Sequence, residues 1–263
     1  MNYQHILFET AQGVARLTLN RPERLNSFNT AMHLEVRDAL ASLIGDSGAR
    51  ALVVTGAGRG FCAGQDLADR AVAPAGTAAD LGESIEKNYK PLVLALRALQ
   101  IPVIAAVNGV AAGAGANIAL ACDLVIAARS ASFVQSFSKL GLVPDSGGTW
   151  FLPRLAGTAR AMGLALLGDK LPAQQAAEWG LIWRCVDDAE LTTVVNGLAG
   201  QLAAAPTCGL ARTKQALYEG WGRTLEQQLD IERDYQRELG RTADYAEGIA
   251  AFTEKRAPRF TGR

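Results

Sequence analysis

The most informative part of the chain is residues 101–150, which read IPVIAAVNGVAAGAGANIALACDLVIAARSASFVQSFSKLGLVPDSGGTW. The apolar run 102–107 predicts a buried strand, which ends at Asn108 and Gly109. A turn of small residues then leads into a helical pattern over 117–121. Because the first N–H groups of such a helix have no partner within it, they point at whatever lies above the helix. The stretch therefore predicts a site for an anion or an oxyanion.

The second half of this stretch places one carboxylate, Asp145, in a turn of apolar and glycine residues. A carboxyl group with few polar neighbours has a raised pKa and can carry a proton. Together with the helix start, this predicts acid–base chemistry beside a stabilised oxyanion. Asp145 is equally typical of a residue that caps the helix expected near Gly147, and the residues alone leave both interpretations open.

The composition predicts one large domain, or one domain with a small appendage. The chain has 263 residues, 49% of them hydrophobic, and 26 basic side chains against 26 acidic ones. The balanced charge argues against binding of nucleic acid. The two histidines, His5 and His33, lie far along the chain from the glycine-rich stretch. Their position argues against a histidine-dependent triad and against a metal site.

The cysteines and the N-terminus predict the location of the protein. Cys62, Cys122, Cys185 and Cys208 form no CxxC pair, as expected of reduced thiols. The first residues show no basic and then apolar signal pattern, and no window of about eighteen residues is apolar throughout. We therefore expect a cytoplasmic protein that neither crosses nor binds a membrane.

Two glycine-rich segments and one serine look like known motifs but lack a required residue. Segment 56–60 is followed by Phe61, and segment 113–115 has Ile118, where a dinucleotide-binding fingerprint needs its third glycine. Ser146 lacks the first glycine of a nucleophile elbow, and no histidine follows it. We therefore expect no nicotinamide cofactor and a turn position for Ser146.

The first part of the chain has the pattern of an α/β protein. Alternation predicts strands over 6–9 and 14–19 joined by a hairpin, and then a helix capped by Ser27 or Asn29. A buried strand follows over 51–55. Strands that alternate with helices indicate the α/β class.

The later part of the chain is mostly helical from residue 158, and residues 224–253 are charged and amphipathic. Such a run is typical of a solvated helix face, and it equally fits a surface that packs on another subunit. Residues 71–80 are rich in Ala with Pro and Gly. This composition fits a mobile loop over a site as well as it fits a plain surface connection.

Five segments together resemble the enoyl-CoA hydratase/isomerase (crotonase) superfamily over almost the whole chain. They are LNRPERLN (19–26), FCAGQDL (61–67), VNG (107–109) with the turn after it, GGT (147–149) and FTEKR (252–256). The resemblance implies an α/β crotonase fold, with a spiral core of repeated β-β-α units over 1–200 and a C-terminal helical trimerisation region over 201–263. It also implies a homotrimer or a dimer of trimers, and an acyl-CoA substrate. No metal is implied, and no cofactor beyond the CoA of the substrate.

The resemblance implies three catalytic residues. The backbone N–H groups of Gln65 and Ala114 would hold the thioester oxygen, which requires no particular side chain. Asp145 lies where isomerases of the family place an aspartate base, and this favours catalysis over capping. The two glutamates of the hydratases fall at Asn117 and Phe137, so hydration of a double bond should be lost.

The resemblance further implies a set of substrate-binding residues. Val110, Phe137 and Trp150 would form apolar walls that keep water from the enolate. Arg24 and Lys255 would meet the CoA phosphates, with ordinary surface charges as the alternative. The full set is Arg24, Leu25, Ala63, Asp66, Leu67, Val110, Gly113, Asn117, Phe137, Trp150, Phe252 and Lys255.

The implied activity is isomerisation of an acyl-CoA thioester, with a shift of C=C bonds through an enolate and proton transfer by Asp145. Segments 61–70, 108–115, 137–142 and 147–154 are similar to the isomerases that turn a ring epoxide of phenylacetyl-CoA into oxepin-CoA in phenylacetate catabolism. The alternatives are an isomerase of 3-enoyl-CoA to 2-enoyl-CoA, an aryl-CoA dehalogenase or hydrolase with Asp145 as nucleophile, and a non-catalytic acyl-CoA-binding assembly protein.

Overall fold

A six-stranded sheet lies at the centre of the computed structural model, which describes residues 3–45, 47–70 and 80–263. The strands are β1 (Ile6–Ala11), β2 (Val14–Leu19), β3 (Ala51–Gly56), β4 (Gly60–Cys62), β5 (Val103–Val107), β6 (Val110–Ala112), β7 (Leu124–Ala128), β8 (Ser132–Val134), β9 (Lys170–Pro172) and β10 (Arg184–Val186). The helices are α1 (Thr30–Ala41), α2 (Leu67–Arg70), α3 (Leu81–Ser84), α4 (Lys90–Ala98), α5 (Ala114–Ala121), α6 (Gly148–Ala156), α7 (Thr158–Leu167), α8 (Ala173–Glu178), α9 (Leu191–Ala203), α10 (Thr207–Gly220), α11 (Leu225–Leu239) and α12 (Ala243–Glu254). The loop expected over 71–80 lies outside the described residues, except for its last residue.

The large sheet has the order β1-β2-β3-β5-β7-β10, and its pairs are parallel except for the β1–β2 hairpin. The hairpin turns at Gln12 and Gly13, which have φ of 52° and 76°. Positive φ at both positions of a two-residue turn matches the twist of the strands that it joins. Asn29, one of the two predicted caps, accepts a hydrogen bond from the Met32 N–H (2.9 Å) at the start of α1. The predicted hairpin and the α/β class are confirmed.

A second, four-stranded sheet of short strands has the order β4-β6-β8-β9. Along the chain, β3, β5 and β7 of the large sheet are each followed by a strand of this small sheet, and α5 follows β6 directly. This succession is the β-β-α repeat that the resemblance implied. Pattern analysis alone did not find the short strands, because three residues are too few to show an alternation.

The apolar run at the centre of the sequence forms β5, in which all five residues are buried. The helix that follows, α5, contacts β4, β5 and β6 and is buried along its whole length. Small side chains permit this close packing: a Cβ on Gly115 would lie 2.3 Å from the carbonyl oxygen of Cys62. The start of α5 is therefore held against the end of β4.

Helices α10, α11 and α12 form the C-terminal region, which Arg50 ties to the core. The Arg50 guanidinium donates to Thr207 Oγ1 (2.9 Å) and to the Phe260 carbonyl oxygen (3.0 Å). The preceding helix, α9, packs on β3, β5 and β7, and the predicted boundary between residues 200 and 201 falls inside it. The division into two regions stays a prediction, and the first helix beyond α9 begins at Thr207.

The cysteines and the apolar segments are the features from which a cytoplasmic location was expected. All four cysteines are free, and burial raises the pKa of the Cys62 thiol to about 12, so that this thiol stays protonated. In the part of the chain that the structure describes, no helix is both long enough and apolar enough to cross a membrane.

Candidate active site

The main chain at the start of α5 meets the loop that follows β4. Gly113 has φ of 53° and ψ of −127°, a conformation that glycine adopts without strain, and it turns the chain so that α5 begins at Ala114. In the β4 loop, Gly64 has φ of 89°, and a Cβ there would lie 2.9 Å from the Ala112 oxygen and 3.3 Å from the Ala114 nitrogen. This approach brings the main chain of Gln65 beside the Ala114 N–H.

The direction of the Gln65 N–H is set by the pairing of its neighbours with Phe28. The Phe28 N–H donates to the Gly64 carbonyl (2.7 Å), and the Asp66 N–H donates to the Phe28 carbonyl (2.8 Å). The N–H of the residue between them therefore points away from Phe28. Within the described ranges, the N–H groups of Gln65 and Ala114 have no backbone acceptor. Two neighbouring donors are thus available to a developing oxyanion, which is the role predicted for them.

Asp145 lies half-buried in a tight turn directly before α6. The two residues after it, Ser146 and Gly147, both have positive φ (52° and 84°), and the Gly148 N–H donates to the Asp145 carbonyl (2.8 Å). A left-handed conformation is costly for serine and persists where the surroundings enforce it. The buried Ser146 hydroxyl donates to Asp145 Oδ1 (2.9 Å), which gives the predicted turn residue a second role. Gly147 occupies the N-cap position of α6, so Asp145 is not the cap that the alternative interpretation required.

Asn117 joins the Asp145 turn to the helix that carries the Ala114 N–H. Its side chain is 0% exposed; Nδ2 donates to the Asp145 carbonyl oxygen (2.8 Å), and Oδ1 accepts from Gln135 Nε2 (2.9 Å). Asn117 lies three residues beyond Ala114, the first residue of α5, which is a rise of about 4.5 Å along the helix. The Asp145 turn is therefore held within one turn of the oxyanion donors. The sequence placed Asn117 among the substrate-binding residues, and in the structure both ends of its amide bond the protein.

Phe137 and Val110 are two of the three predicted apolar walls of the site. Phe137 is buried, and its ring lies 3.7 Å from the position that a Cβ on Gly113 would take. Val110 is half-buried in β6, where its Cγ1 lies 3.5 Å from the corresponding position on Gly60. Phe137 is therefore an apolar neighbour of the Gly113 turn and Val110 of the start of β4, and the contact of both side chains with substrate stays a prediction.

Trp150 borders a cavity of about 550 Å³ between α4, α6 and α10. The side chain is 38% exposed, and its ring centroid lies 4.5 Å from that of Trp221. Arg97 lies over both rings, at 5.7 Å and 5.6 Å from their centroids. Gly147 also lines the cavity, so this space reaches the turn that holds Asp145.

Asp66 fixes the loop that carries the oxyanion donor. Its Oδ2 pairs with Arg21 Nη2 (2.9 Å), and its Oδ1 accepts from the Ala68 N–H (3.0 Å). Burial would raise the pKa of the Asp66 carboxyl, but the Arg21 and Ala68 hydrogen bonds and the charges of Arg21 and Arg24 hold this pKa below its ordinary value. The Asp66 carboxylate therefore stays ionised, and its bonds to Arg21 and Ala68 fix the main chain next to Gln65.

The segment before Phe28 packs on the same loop, and it contains a residue that sequence analysis missed. The Leu25 carbonyl accepts from the Ala63 N–H (2.9 Å). Asn26 is fully buried with φ of 56°, and its Nδ2 donates to the carbonyl oxygens of Ala57 and Gly60 (2.9 Å each). Its Oδ1 accepts from the Arg21 N–H (2.9 Å), so this buried amide joins its own turn to the loop between β3 and β4. Asn26 ends the segment 19–26 that contributes to the family resemblance, but no local pattern gave it a role.

Besides Trp150, four of the predicted substrate-binding residues are exposed in the single chain. Arg24 and Leu67 lie near the Asp66 loop, and Lys255 ends α12 with φ of 54°. Phe252 is 87% exposed on α12. Tyr245 and Ile249 are exposed on the same helix, and neighbouring exposed apolar side chains are typical of a surface that meets a partner.

His33 also escaped the sequence analysis, which treated both histidines as remote from the site. It is buried in α1 with its ring centroid 4.5 Å from that of Tyr89 and 4.6 Å from that of Phe28. Neither ring nitrogen has a hydrogen-bond partner among the described residues. Burial, and then the charge of Arg37, lower the pKa of His33 to about 4. The imidazole is therefore neutral and packs as an aromatic ring against Phe28, whose main chain pairs with the loop that carries Gln65.

We expect this histidine to make stability fall with acid. The unfolded chain protonates His33 below its ordinary pKa of 6.5, whereas the folded chain does so near 4. Stability is therefore lost as the pH falls from about 6.5 towards 4, by up to about 3 kcal/mol of unfolding free energy. Urea unfolding of wild type and of His33→Phe between pH 7 and 4.5 measures the difference. Equal pH slopes for the two proteins would show that His33 does not cause the loss.

Comparison with known proteins gives the family of the chain. The family model described as enoyl-CoA hydratase/isomerase matches residues 9–263. The chain belongs to the enoyl-CoA hydratase/isomerase family. This family member is 60% identical over 260 residues to the 1,2-epoxyphenylacetyl-CoA isomerase of Escherichia coli K12, with 99% of each chain covered. It is 48% identical to a probable enoyl-CoA hydratase of Rhodobacter capsulatus, over 100% of both chains.

A solved structure supports the same assignment. An enoyl-CoA hydratase/isomerase family protein from Mycobacterium abscessus is similar to this chain with a TM-score of 0.94 and 37% identity, over 98% of this chain and 100% of the other. The family and the crotonase fold predicted from the sequence are confirmed. In this member of the enoyl-CoA hydratase/isomerase family, no group of three or more His, Cys, Asp or Glu among the described residues is placed to hold a metal ion.

Proposed function

We propose that this enzyme isomerises the ring epoxide of a phenylacetyl-CoA thioester. The observation that carries the proposal is the 60% identity, over 99% of both chains, to a protein named as a 1,2-epoxyphenylacetyl-CoA isomerase. The site geometry supports it, because Gln65 and Ala114 offer two N–H donors, and Asn117 of α5 binds the main chain of the turn that carries Asp145. Such a constellation suits removal and return of a proton next to a carbonyl group.

The proposed reaction begins at the thioester carbonyl, whose oxygen accepts hydrogen bonds from the Gln65 and Ala114 N–H groups. These bonds stabilise negative charge on the oxygen and so lower the barrier to loss of a proton from the α-carbon. Asp145 takes that proton, and the C–H electron pair becomes part of the enolate. Asp145 then returns the proton further along the conjugated system, so a double bond moves and no atom is gained or lost. For the ring epoxide, the same transfer accompanies ring expansion.

The transfer calls on no oxidant and no metal, so we propose that the enzyme works without a cofactor beyond the CoA of its substrate. The four free thiols fit a reducing compartment, and we place the enzyme in the cytoplasm. The same groups would shift the double bond of a 3-enoyl-CoA, and comparison of kcat/KM on this thioester and on the epoxide tests which substrate the enzyme prefers. An ester trapped on Asp145 would instead indicate the nucleophilic chemistry of a dehalogenase or hydrolase.

The two positions that carry glutamate in hydratases hold no acid here, and we therefore expect negligible hydration of crotonyl-CoA at neutral pH. Both ends of the Asn117 amide form hydrogen bonds within the protein, and Phe137 is buried. Glutamate at both positions should still fail to give a hydratase. At position 137 it buries a carboxylate in place of an apolar ring, and at position 117 it removes the amide that donates to the Asp145 carbonyl. The loss of crotonyl-CoA absorbance measures hydration in both proteins. Robust hydratase activity of the wild type would refute the assignment of these positions.

We further propose a trimer, alone or paired into a hexamer, in which the C-terminal helices of one chain complete the CoA site of a neighbour. The exposed apolar side chains of α11 and α12 support an assembly role. They are Leu225, Leu229, Tyr245, Ile249 and Phe252. In that arrangement Phe252 and Lys255 would contribute to the CoA site of the neighbouring chain.

Truncation after Gly240 is expected to damage both assembly and CoA binding. The truncation removes α12 and the tail that Arg50 holds through the Phe260 carbonyl. Phe252→Asp is the milder companion variant, because an exposed side chain can be changed without loss of the fold, and it should weaken assembly alone. Sedimentation velocity and titration with CoA measure the two effects. A fully active, monodisperse wild-type monomer would contradict the proposal.

A further inference from the structure

We propose that Tyr89 is a positioning residue for the oxyanion site, because its hydroxyl holds the Gln65 side chain and so restrains the Gln65 N–H in the direction that the pairing with Phe28 gives it. This inference rests on the proposed function, since it gives the Gln65 N–H a thioester oxygen to bind. No sequence pattern indicated a role for Tyr89, which lies outside the five segments that carry the family resemblance.

Tyr89 lies at the end of a π-helical turn, Ile85–Tyr89, between α3 and α4. Such a turn inserts one extra residue, and π-turns occur frequently at functional sites. One residue corresponds to a rotation of about 100° around a helix, so the insertion changes which side chain faces inward. Here the inward side chain is Tyr89, which is 0% exposed, and its hydroxyl donates to Gln65 Oε1 (2.9 Å).

The Tyr89 ring is fixed by two other aromatic groups. His33 meets it edge-on at a centroid distance of 4.5 Å, and Phe28 lies at 6.2 Å. Phe28 is the residue whose main chain bonds both Gly64 and Asp66. One buried cluster thus holds the main chain on both sides of Gln65 and, through the Tyr89 hydroxyl, its side chain as well. The pKa of His33 keeps this cluster uncharged at neutral pH.

The Gln65 side chain is held at both ends of its amide. Oε1 accepts from Tyr89, and Nε2 donates to the Asp66 carbonyl (3.3 Å), while the Asp66 carboxylate is anchored by Arg21. Rotation of the Gln65 main chain would break these contacts, so the N–H keeps one direction before substrate binds. Such preorganisation matters because a donor misplaced by about 1 Å costs up to 10²-fold in rate. Removal of the hydroxyl leaves the donor and its pairing with Phe28 in place, but it frees the Gln65 side chain, so the N–H is held less tightly.

Tyr89→Phe tests the inference because the ring and its packing remain. We expect kcat on the epoxide thioester to fall about 10-fold, with KM changed less than about 2-fold, because the lost alignment acts mainly in the transition state. Tyr3→Phe is the matched control, since it also removes a tyrosine hydroxyl that donates to a side chain, at Asp38 Oδ2 (2.8 Å), away from the loop. Its kcat should match wild type.

The bound carbonyl gives a readout that lost stability does not change. Phenylacetyl-CoA labelled with ¹³C at the thioester carbonyl should show a lowered C=O stretching frequency on wild type by difference infrared spectroscopy, and a smaller shift on Tyr89→Phe. Gln65→Met removes the acceptor but keeps the N–H, and should cause the same two losses. Tyr89→Phe should then have no further effect in the Gln65→Met background.

Each outcome bears on a different part of the inference. Wild-type kcat and an undiminished shift in Tyr89→Phe would overturn it and leave the proposed function standing. If Tyr89→Phe fails to fold, the Gln65→Met variant tests the inference instead. Wild-type kcat and an undiminished carbonyl shift in Gln65→Met would overturn it. A wild-type protein with neither turnover nor a shifted carbonyl would overturn the oxyanion site itself, and with it the proposed function.

Discussion

Asp145→Asn is expected to lower kcat on the epoxide thioester by about 10²–10⁴-fold, the usual contribution of one general acid–base group. The amide cannot take a proton from the α-carbon, and the described site offers no second carboxylate within the Asp145 turn. The fold should survive, because Asn117 and Gly148 bond the carbonyl oxygen of residue 145 and not its side chain. Steady-state kinetics give kcat, calorimetry gives CoA affinity, and thermal unfolding checks the fold.

Ser146→Ala is the matched control for this substitution. It removes the hydroxyl that donates to Asp145 Oδ1 but leaves the carboxyl group in place. We therefore expect a much smaller loss of kcat than for Asp145→Asn. If Asp145→Asn turns over as fast as wild type, the base lies elsewhere and the proposed mechanism is wrong.

Ala114→Pro is expected to lower kcat by about 10²–10³-fold, the range found when one donor of an oxyanion site is removed. Ala114 is the first residue of α5, a position where proline is well tolerated because that N–H has no partner within the helix. The residue before it, Gly113, has no Cβ to clash with the proline ring. The substitution therefore deletes a single backbone donor and leaves the helix intact. Circular dichroism and kcat measured on one preparation separate the two properties.

Ala114→Ser serves as the comparison, because it changes the side chain and keeps the N–H. We expect its kcat to stay within a few-fold of wild type, since backbone donors require no particular side chain. A folded Ala114→Pro protein with wild-type kcat would remove Ala114 from the oxyanion site. A loss in Ala114→Ser as large as that in Ala114→Pro would instead indicate that crowding by the side chain is the cause.

Sequence analysis found the parts of the fold and site that depend on local pattern. The buried run of β5 and the turn at Gln12 and Gly13 have strong local signals, and both are present. Asp145 was singled out because it is an isolated carboxylate among apolar and glycine residues. Its placement next to the helix start depended on a contact that no local pattern contains, between Asn117 and the carbonyl of residue 145.

The features that sequence analysis missed depend on long-range contacts or on short elements. Asn26 bonds the Gly60 carbonyl across 34 residues, and Tyr89 bonds Gln65 across 24. A π-helical turn differs from an α-helix by one residue, which the apolar periodicity of a short segment does not resolve. The boundary expected between residues 200 and 201 came from the family resemblance and not from a local pattern. It falls within α9, and the division into two regions stays a prediction.

Identification of the product formed from epoxyphenylacetyl-CoA by the wild-type enzyme tests the proposed isomerisation most directly. Mass spectrometry with nuclear magnetic resonance distinguishes an isomer from a hydrated or hydrolysed thioester, because only isomerisation leaves the mass unchanged. We expect oxepin-CoA with the mass of the substrate, formed by wild type and at a greatly reduced rate by Asp145→Asn. A product heavier by one water, release of free CoA, or unchanged substrate would contradict the proposed function.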